Sequence, residues 1–103
     1  MKYEIYQIKN EEAMRKYGFM RLSFAKQNGL NINDYEKVYE GSIELEDESR
    51  ANEVKPENYL EHLFYIFNCE HPADFKGHSM SVSDIVILDG TTYYCDSFGF
   101  TKI

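Results

Sequence analysis

An Asp-Gly turn in the C-terminal third constrains the fold more than any other feature of the sequence. Asp89-Gly90 follows a segment at 84–88 that is typical of a buried strand and precedes a second strand-like segment at 93–97. Asp-Gly suits the two-residue turns that join antiparallel strands, because both central residues of such turns take positive φ angles. Residues 84–97 are therefore predicted to form a β-hairpin. Residues 98–103 alternate apolar and polar side chains and are predicted to complete the sheet.

Two further strands are predicted in the N-terminal half. Residues 3–8 carry aromatic and β-branched side chains on both faces, which is typical of an interior strand. Residues 35–45 form the second strand, and we expect it to bend or bulge at Gly41 because glycine inside a strand often marks such a site. The polar stretch 46–53 that follows is predicted to be an exposed loop.

Three helices are predicted between these strands. Asn10 is the expected N-cap of residues 11–17, which begin acidic and end basic, and Gly18 is expected to end this helix. Residues 19–27 favour a second, short helix. The third begins at Pro56, and its apolar residues at 60, 63, 64 and 67 have helical spacing. Together the segments predict an α+β fold, a mainly antiparallel sheet with two or three helices packed on it and a C-terminal β-hairpin.

Length and charge limit the possible functions. The chain has 103 residues and a net charge of −7, which predicts one domain spanning residues 1–103 rather than two independent cores. An acidic chain is repelled by nucleic-acid backbones and anionic membranes, and it encounters basic protein surfaces fastest. No apolar run is long enough to cross a membrane, and the N-terminus lacks a signal-peptide pattern, so a cytoplasmic protein is expected.

Acidic residues are concentrated between positions 40 and 53. We call the following set the acidic row: Glu40, Glu44, Glu46, Asp47, Glu48 and Glu53. On a regular strand, carboxylates on alternate residues would share one face at a spacing of ~6.6–6.8 Å. This spacing is about twice the distance between successive phosphates along one DNA strand. One interpretation is a surface that imitates a phosphate backbone and binds a basic protein. The other is a solvated face that keeps the protein soluble.

The segment 71–84 contains the residue types of nucleophilic catalysis. A catalytic site would use His78, Ser81 and either Asp84 or Asp96. The alternative is that these Ser and Asp side chains bind backbone groups in turns. Since the segment has no Gly-x-Ser-x-Gly motif, we favour the alternative and predict a binding protein without a catalytic site.

A zinc site is the other chemical interpretation of this region. Its ligands would be Cys69, His71, His78 and Cys95. The first two are closer together than the usual ligand pair, and the others form no paired motif. We therefore predict no metal and no cofactor. Two cysteines are also too few for a disulfide framework and fit a reducing compartment, although the sequence leaves open whether they pair.

The same region carries a recognisable motif. Its residues are His71, Pro72, Asp74, Phe75, Gly77, His78, Ser79, Ser81, Ser83 and Asp84, followed by Asp96, Phe98, Gly99 and Phe100. Together with residues 3–8 and 34–39, this motif resembles the YodL-like domain family over nearly the whole chain. The resemblance implies a bacterial protein, because domains of this family occur in bacteria, largely in Firmicutes. They are often encoded on plasmids and integrative conjugative elements. The resemblance implies no catalytic residues, because none is established for the family.

The resemblance and the charge together lead to a functional hypothesis. Small acidic accessory proteins of mobile elements commonly block host restriction or CRISPR nucleases, which present long basic grooves. We therefore expect a protein partner with a basic surface and a role of the anti-restriction or anti-CRISPR type. The alternative is a module that regulates a bacterial cytoskeletal or morphogenetic protein, or an adaptor in a conjugation complex. A third, less favoured alternative is the enzyme described above.

Overall fold

The computed structural model describes residues 1–44 and 55–103. The elements in these ranges are β1 (Lys2–Ile8), α1 (Glu11–Tyr17), α2 (Leu22–Gln27), a 3-10 helix (Ile32–Asp34), β2 (Tyr35–Ser42), α3 (Pro56–Cys69), β3 (Ile85–Leu88), β4 (Thr91–Cys95) and β5 (Phe100–Lys102). The strands form one antiparallel sheet in the order β2-β1-β3-β4-β5. The predicted α+β class and the C-terminal hairpin are confirmed. No helix in the described ranges has the length and apolar character needed to span a membrane.

Helix α3 covers one face of the sheet. It begins at Pro56, whose fixed φ suits the first helical turn. Leu60, Leu63 and Phe67 point to the sheet and are each at most 1% exposed. Burial of each such side chain stabilises the fold by about 1.5–3 kcal/mol. Phe64, the other apolar residue of the predicted pattern, lies outside this core and is 39% exposed.

Helices α1 and α2 pack on the opposite face. The side chain of Asn10 accepts a hydrogen bond from the Ala13 N–H at 2.7 Å, which confirms the predicted N-cap, and Gly18 caps the C-terminus of α1. Helix α2 starts at Leu22 rather than at residue 19, because Phe19 has a φ of 63° and cannot belong to a right-handed helix. Successive side chains of β1 alternate between the two faces, so this interior strand contributes to both apolar cores.

The bulge of β2 lies at Val38 and not at Gly41, where the sequence predicted it. Ile5 pairs with Tyr39 and the next residue of β1 pairs with Lys37, so Val38 is the extra residue. Gly41 keeps a regular pairing with Tyr3. Glycine is needed there for close packing, because a Cβ at this position would lie 2.8 Å from the Tyr3 hydroxyl oxygen. Strand β2 ends at Ser42, and the predicted loop 46–53 lies outside the described residues.

The predicted turn at Asp89-Gly90 is confirmed, with φ angles of 52° and 86°. The returning strand β4 covers 91–95 instead of the predicted 93–97. Asp96 leaves the strand because its N–H donates to the carbonyl oxygen of Gly99 at 2.8 Å. That bond closes a second tight turn, between β4 and β5, in which Gly99 has a φ of 69°.

Candidate functional site

Gln7 of β1 fixes residues 71–84, which we call the motif segment, to the sheet. Its side chain is buried, at 2% exposure. The amide nitrogen donates to the carbonyl oxygen of His78 at 2.8 Å and to the carboxylate of Asp84 at 3.0 Å, and the amide oxygen accepts from the His78 N–H at 3.1 Å. Residues 78–84 are therefore attached to the interior strand β1 by one side chain. The sequence did not predict this role for Gln7, whose only signal is a polar residue in an apolar strand.

Asp84 is the buried carboxylate of this segment. It is 1% exposed, and it accepts hydrogen bonds from the N–H of Ser81 at 3.0 Å and from Gln7. Burial raises the pKa of Asp84 to about 6, although the hydrogen bond from Ser81, the nearby His78 and the Gln7 amide act in the opposite direction. The side chain closes the turn that precedes β3.

The side chains of the alternative catalytic set, His78, Ser81 and Asp84, form no hydrogen bonds with one another. The His78 ring is exposed, and its Nδ1 lies 2.7 Å from the carbonyl oxygen of Ser79. The Ser81 hydroxyl oxygen is buried and has no hydrogen-bond partner, while Asp84 binds Ser81 through the backbone. A nucleophilic serine needs a base within hydrogen-bonding reach. Instead, the polar side chains of this segment support its turns.

Ser83 and Asp96 attach the start of α2 to the C-terminal half. The Ser83 hydroxyl accepts from the Phe19 N–H at 3.1 Å. The carboxylate of Asp96 accepts from the Leu22 N–H at 3.0 Å and from the Thr101 hydroxyl at 2.8 Å. Burial acts to raise the pKa of Asp96, but the hydrogen bonds from Leu22, Ser97 and Thr101 outweigh it and hold that pKa below its usual value. These two motif residues therefore have a structural role.

Gly77 allows the motif segment to approach Gln7 closely. A Cβ at this position would lie 2.4 Å from the amide oxygen of Gln7 and 3.0 Å from the ring of Phe75. Phe75 is itself buried and packs edge-on against Phe67, with ring centroids 4.8 Å apart. The space for a side chain is thus already filled.

We expect Gly77→Ala to lower the free energy of unfolding by about 1–2 kcal/mol, because the added methyl group must displace the Gln7 amide or the Phe75 ring. Urea denaturation followed by circular dichroism measures this difference. The control is Lys76→Ala at the adjacent exposed position, which should change stability by no more than about 0.5 kcal/mol. Equal stability of the two variants would show that the predicted crowding is absent.

The two described members of the acidic row each have a local cation. Glu40 lies 2.7 Å from the ammonium group of Lys37, and the hydrogen bond with that group lowers the pKa of Glu40. Glu44 lies 2.8 Å from the N-terminal ammonium group. The other members, Glu46, Asp47, Glu48 and Glu53, lie outside the described residues. Because of these pairs, Glu40 and Glu44 present less net negative charge than the sequence alone indicates.

The cysteines and histidines of the alternative zinc interpretation do not form a cluster in the described ranges. Both cysteines are free thiols, Cys69 exposed and Cys95 buried. Burial raises the pKa of the Cys95 thiol to about 12, so it is protonated at neutral pH. Across residues 1–44 and 55–103, no three His, Cys, Asp or Glu side chains are placed to hold a metal ion.

A groove opens between α3 and the turn that joins β4 to β5. One part has a volume of about 320 Å³ and is lined by Glu61 and Phe64 of α3, by Val82, and by Cys95 and Phe100 of the hairpin. The adjoining part has a volume of about 200 Å³ and is lined by Glu57 and Phe98. Glu61, Gly99 and Phe100 line both parts. We call the two parts together the α3–hairpin groove.

Phe98 stands at the edge of the α3–hairpin groove and is 94% exposed. The positive φ of Gly99 shapes the turn that carries it. Behind it, Phe64 and Phe100 meet edge-on with ring centroids 6.5 Å apart. An exposed aromatic ring beside an apolar groove with carboxylates at its border is typical of a protein-binding surface. Phe98 and Phe100 belong to the sequence motif, but the sequence alone did not predict a role for either.

The model of the YodL-like domain matches residues 2–103. The chain belongs to the YodL-like domain family. Comparison with curated proteins and with solved structures gives no match. In this YodL-like domain six of the motif residues illustrate two different placements. Phe75, Gly77, Ser83, Asp84 and Asp96 hold the loops in place, whereas Phe98 projects into solvent beside the α3–hairpin groove.

Proposed function

We propose that this YodL-like domain is an accessory protein of a bacterial mobile genetic element that acts by binding. Its target would be a host nucleic-acid-targeting defence protein of the restriction or CRISPR type, bound stoichiometrically in the cytoplasm. The observation that carries the proposal is the α3–hairpin groove with the exposed Phe98 at its edge. Aromatic side chains that bury a large area at little entropic cost are frequent anchors of protein interfaces.

Charge supports a basic partner. The chain has a net charge of −7, so long-range attraction favours proteins whose nucleic-acid-binding surface is positive. Glu57 and Glu61 lie at the border of the groove, and neither forms an ion pair with another described residue. A basic residue of the partner can therefore approach these carboxylates while an apolar one contacts Phe98.

The alternative partner is a cytoskeletal or morphogenetic protein, or a component of a conjugation complex. The apolar character of the groove, with Phe64, Phe98 and Phe100, favours it because such contacts need no basic partner. The two partner classes differ in salt dependence, since only attraction to a strongly basic surface weakens steeply as salt rises.

Binding to a panel of restriction and CRISPR nucleases, measured by biolayer interferometry at low and high salt, tests the proposal. For a nuclease that binds, Glu61→Lys and Phe98→Ser should each weaken affinity by about 10–100-fold, the effect of losing an interface contact of roughly 1.4–2.8 kcal/mol. The matched controls are Glu36→Lys on the opposite edge strand and Ile32→Ser, another exposed apolar position. Both controls should bind like the wild type.

Other results would redirect the proposal. If Glu44→Lys, Glu46→Lys and Glu48→Lys together abolish binding while Glu61→Lys and Phe98→Ser do not, the acidic row is the contact surface. Affinity that is indifferent to salt, with recovery of polymerising or secretion components from host lysate, would favour the alternative partner. Absence of binding to every nuclease in the panel would contradict the assignment to defence proteins of those types.

A further inference from the structure

Strand β5 has backbone groups available for pairing with another strand. It lies at an edge of the sheet, with β4 on one side and no described strand on the other. The Asp96 N–H donates to the Gly99 carbonyl at 2.8 Å, and the Ile103 N–H donates to the Thr92 carbonyl at 3.0 Å. Hydrogen-bonded positions alternate in an antiparallel ladder, so residues 99, 101 and 103 face β4. The N–H and C=O groups of Phe100 and Lys102 therefore point away from it.

The opposite edge of the sheet is protected against such pairing. Strand β2 has the bulge at Val38, which disrupts a regular ladder. It also carries the exposed ion pair between Lys37 and Glu40. Charged residues and bulges are the features by which natural sheets discourage added strands. Strand β5 carries Lys102 but has no bulge and no ion pair with a described residue, so of the two edges it is the better suited to accept a strand.

The available edge adjoins the α3–hairpin groove. Phe100 lines the groove and packs against Phe64 of α3. A strand placed beside β5 would turn every second side chain towards this face of the sheet. Glu57 and Glu61 line the part of the groove that also includes Phe98, whereas Lys102 is the last residue of β5.

We propose that the partner contributes an extended segment that adds to β5 as a sixth strand. One of its apolar side chains occupies the α3–hairpin groove, and a Lys or Arg lies beside Glu57 and Glu61. The charge complementarity identifies this occupant, because a second copy of the chain carries the same net charge of −7 and is repelled at long range. The inference rests on the proposed function and specifies how its site binds. Main-chain hydrogen bonds would supply affinity and the groove would supply specificity.

A library of random seven-residue peptides, displayed and selected against the wild-type domain, provides the probe. Selected peptides should contain a basic residue and alternating apolar residues, and Glu61→Lys should weaken their binding at least about tenfold. Methylation of the peptide backbone nitrogens, one at a time, should weaken binding at every second position only. That pattern arises because alternate N–H groups of an added strand face β5.

A substitution in the protein gives the complementary test. Lys102→Pro removes an outward-pointing N–H without removing a hydrogen bond to β4, and proline is tolerated at such edge positions. It should weaken peptide binding at least about tenfold, while Lys102→Ala, which keeps the N–H, should bind like the wild type. Circular dichroism and thermal unfolding of both variants establish that they are folded.

The results separate this inference from the proposed function. Peptides that respond to Glu61→Lys and Phe98→Ser, but not to Lys102→Pro or to backbone methylation, would overturn strand addition and leave groove binding in place. Selection of no peptides, or of peptides unaffected by all these substitutions, would overturn the inference. So would self-association of the wild type, detected by sedimentation, that Lys102→Pro abolishes.

Discussion

Replacing Gln7 with alanine should lower the free energy of unfolding by about 4 kcal/mol, because an unpaired buried polar group costs about 1–3 kcal/mol and several would be created at once. The substitution removes three hydrogen bonds. It leaves the N–H and C=O groups of His78 without that partner and leaves Asp84 with one hydrogen bond fewer. Urea denaturation at neutral pH measures the loss.

The matched control is Gln27→Ala, which removes an exposed glutamine at the end of α2. It should change stability by no more than about 0.5 kcal/mol. If Gln7→Ala costs less than about 1 kcal/mol, the motif segment is not held to β1 by this side chain, and the structural account of the motif is wrong.

Replacing Asp84 with asparagine should stabilise the protein at neutral pH by roughly 2–3 kcal/mol, since one pKa unit corresponds to about 1.4 kcal/mol. Burial raises the pKa of Asp84 from 3.8 to about 6, so the folded state binds a proton more tightly than the unfolded state. The wild type therefore gains stability as pH falls from about 6 towards 4, and it loses that stability as pH rises through 6. Asparagine keeps an oxygen that can accept from Ser81 and Gln7 but carries no charge.

Urea denaturation of wild type and Asp84→Asn at pH 4.5, 6 and 7.5 measures this dependence. The difference in unfolding free energy between the two proteins should be small at pH 4.5 and largest at pH 7.5. Asp89→Asn, in the exposed hairpin turn, should retain the wild-type dependence of stability on pH. A wild type that gains stability relative to Asp84→Asn as pH rises would contradict the raised pKa.

Local sequence signals predicted the elements of the fold well. Asp89-Gly90, the Asn10 cap and the apolar spacing of α3 depend on a few neighbouring residues, and each is confirmed. The predicted position of the β2 bulge is wrong because that position depends on the register with β1. In this register Tyr39 and Lys37 pair with consecutive residues of β1, and Val38 between them is the extra residue. The sequence marks Gly41 as a special position in the strand, but glycine is needed there because the Tyr3 ring on the neighbouring strand leaves no room for a Cβ.

The candidate site was less predictable because it depends on contacts between distant segments. Gln7 binds His78 and Asp84, which lie 71 and 77 positions away in the sequence. No local pattern indicates partners at such a distance. The motif included Phe98, but its exposure follows from the orientation of the turn closed by Asp96 and Gly99. Likewise, the sequence showed the charges of Glu40 and Glu44 but not the cations that lie beside them.

The most direct test of groove-mediated binding is hydrogen–deuterium exchange of the domain, free and in complex with a host nuclease. The account predicts slower exchange on binding at residues 57–64 and 96–102, with exchange at residues 35–44 unchanged. Slower exchange confined to residues 35–44 would contradict it and would place the contact on the strand where the acidic row begins.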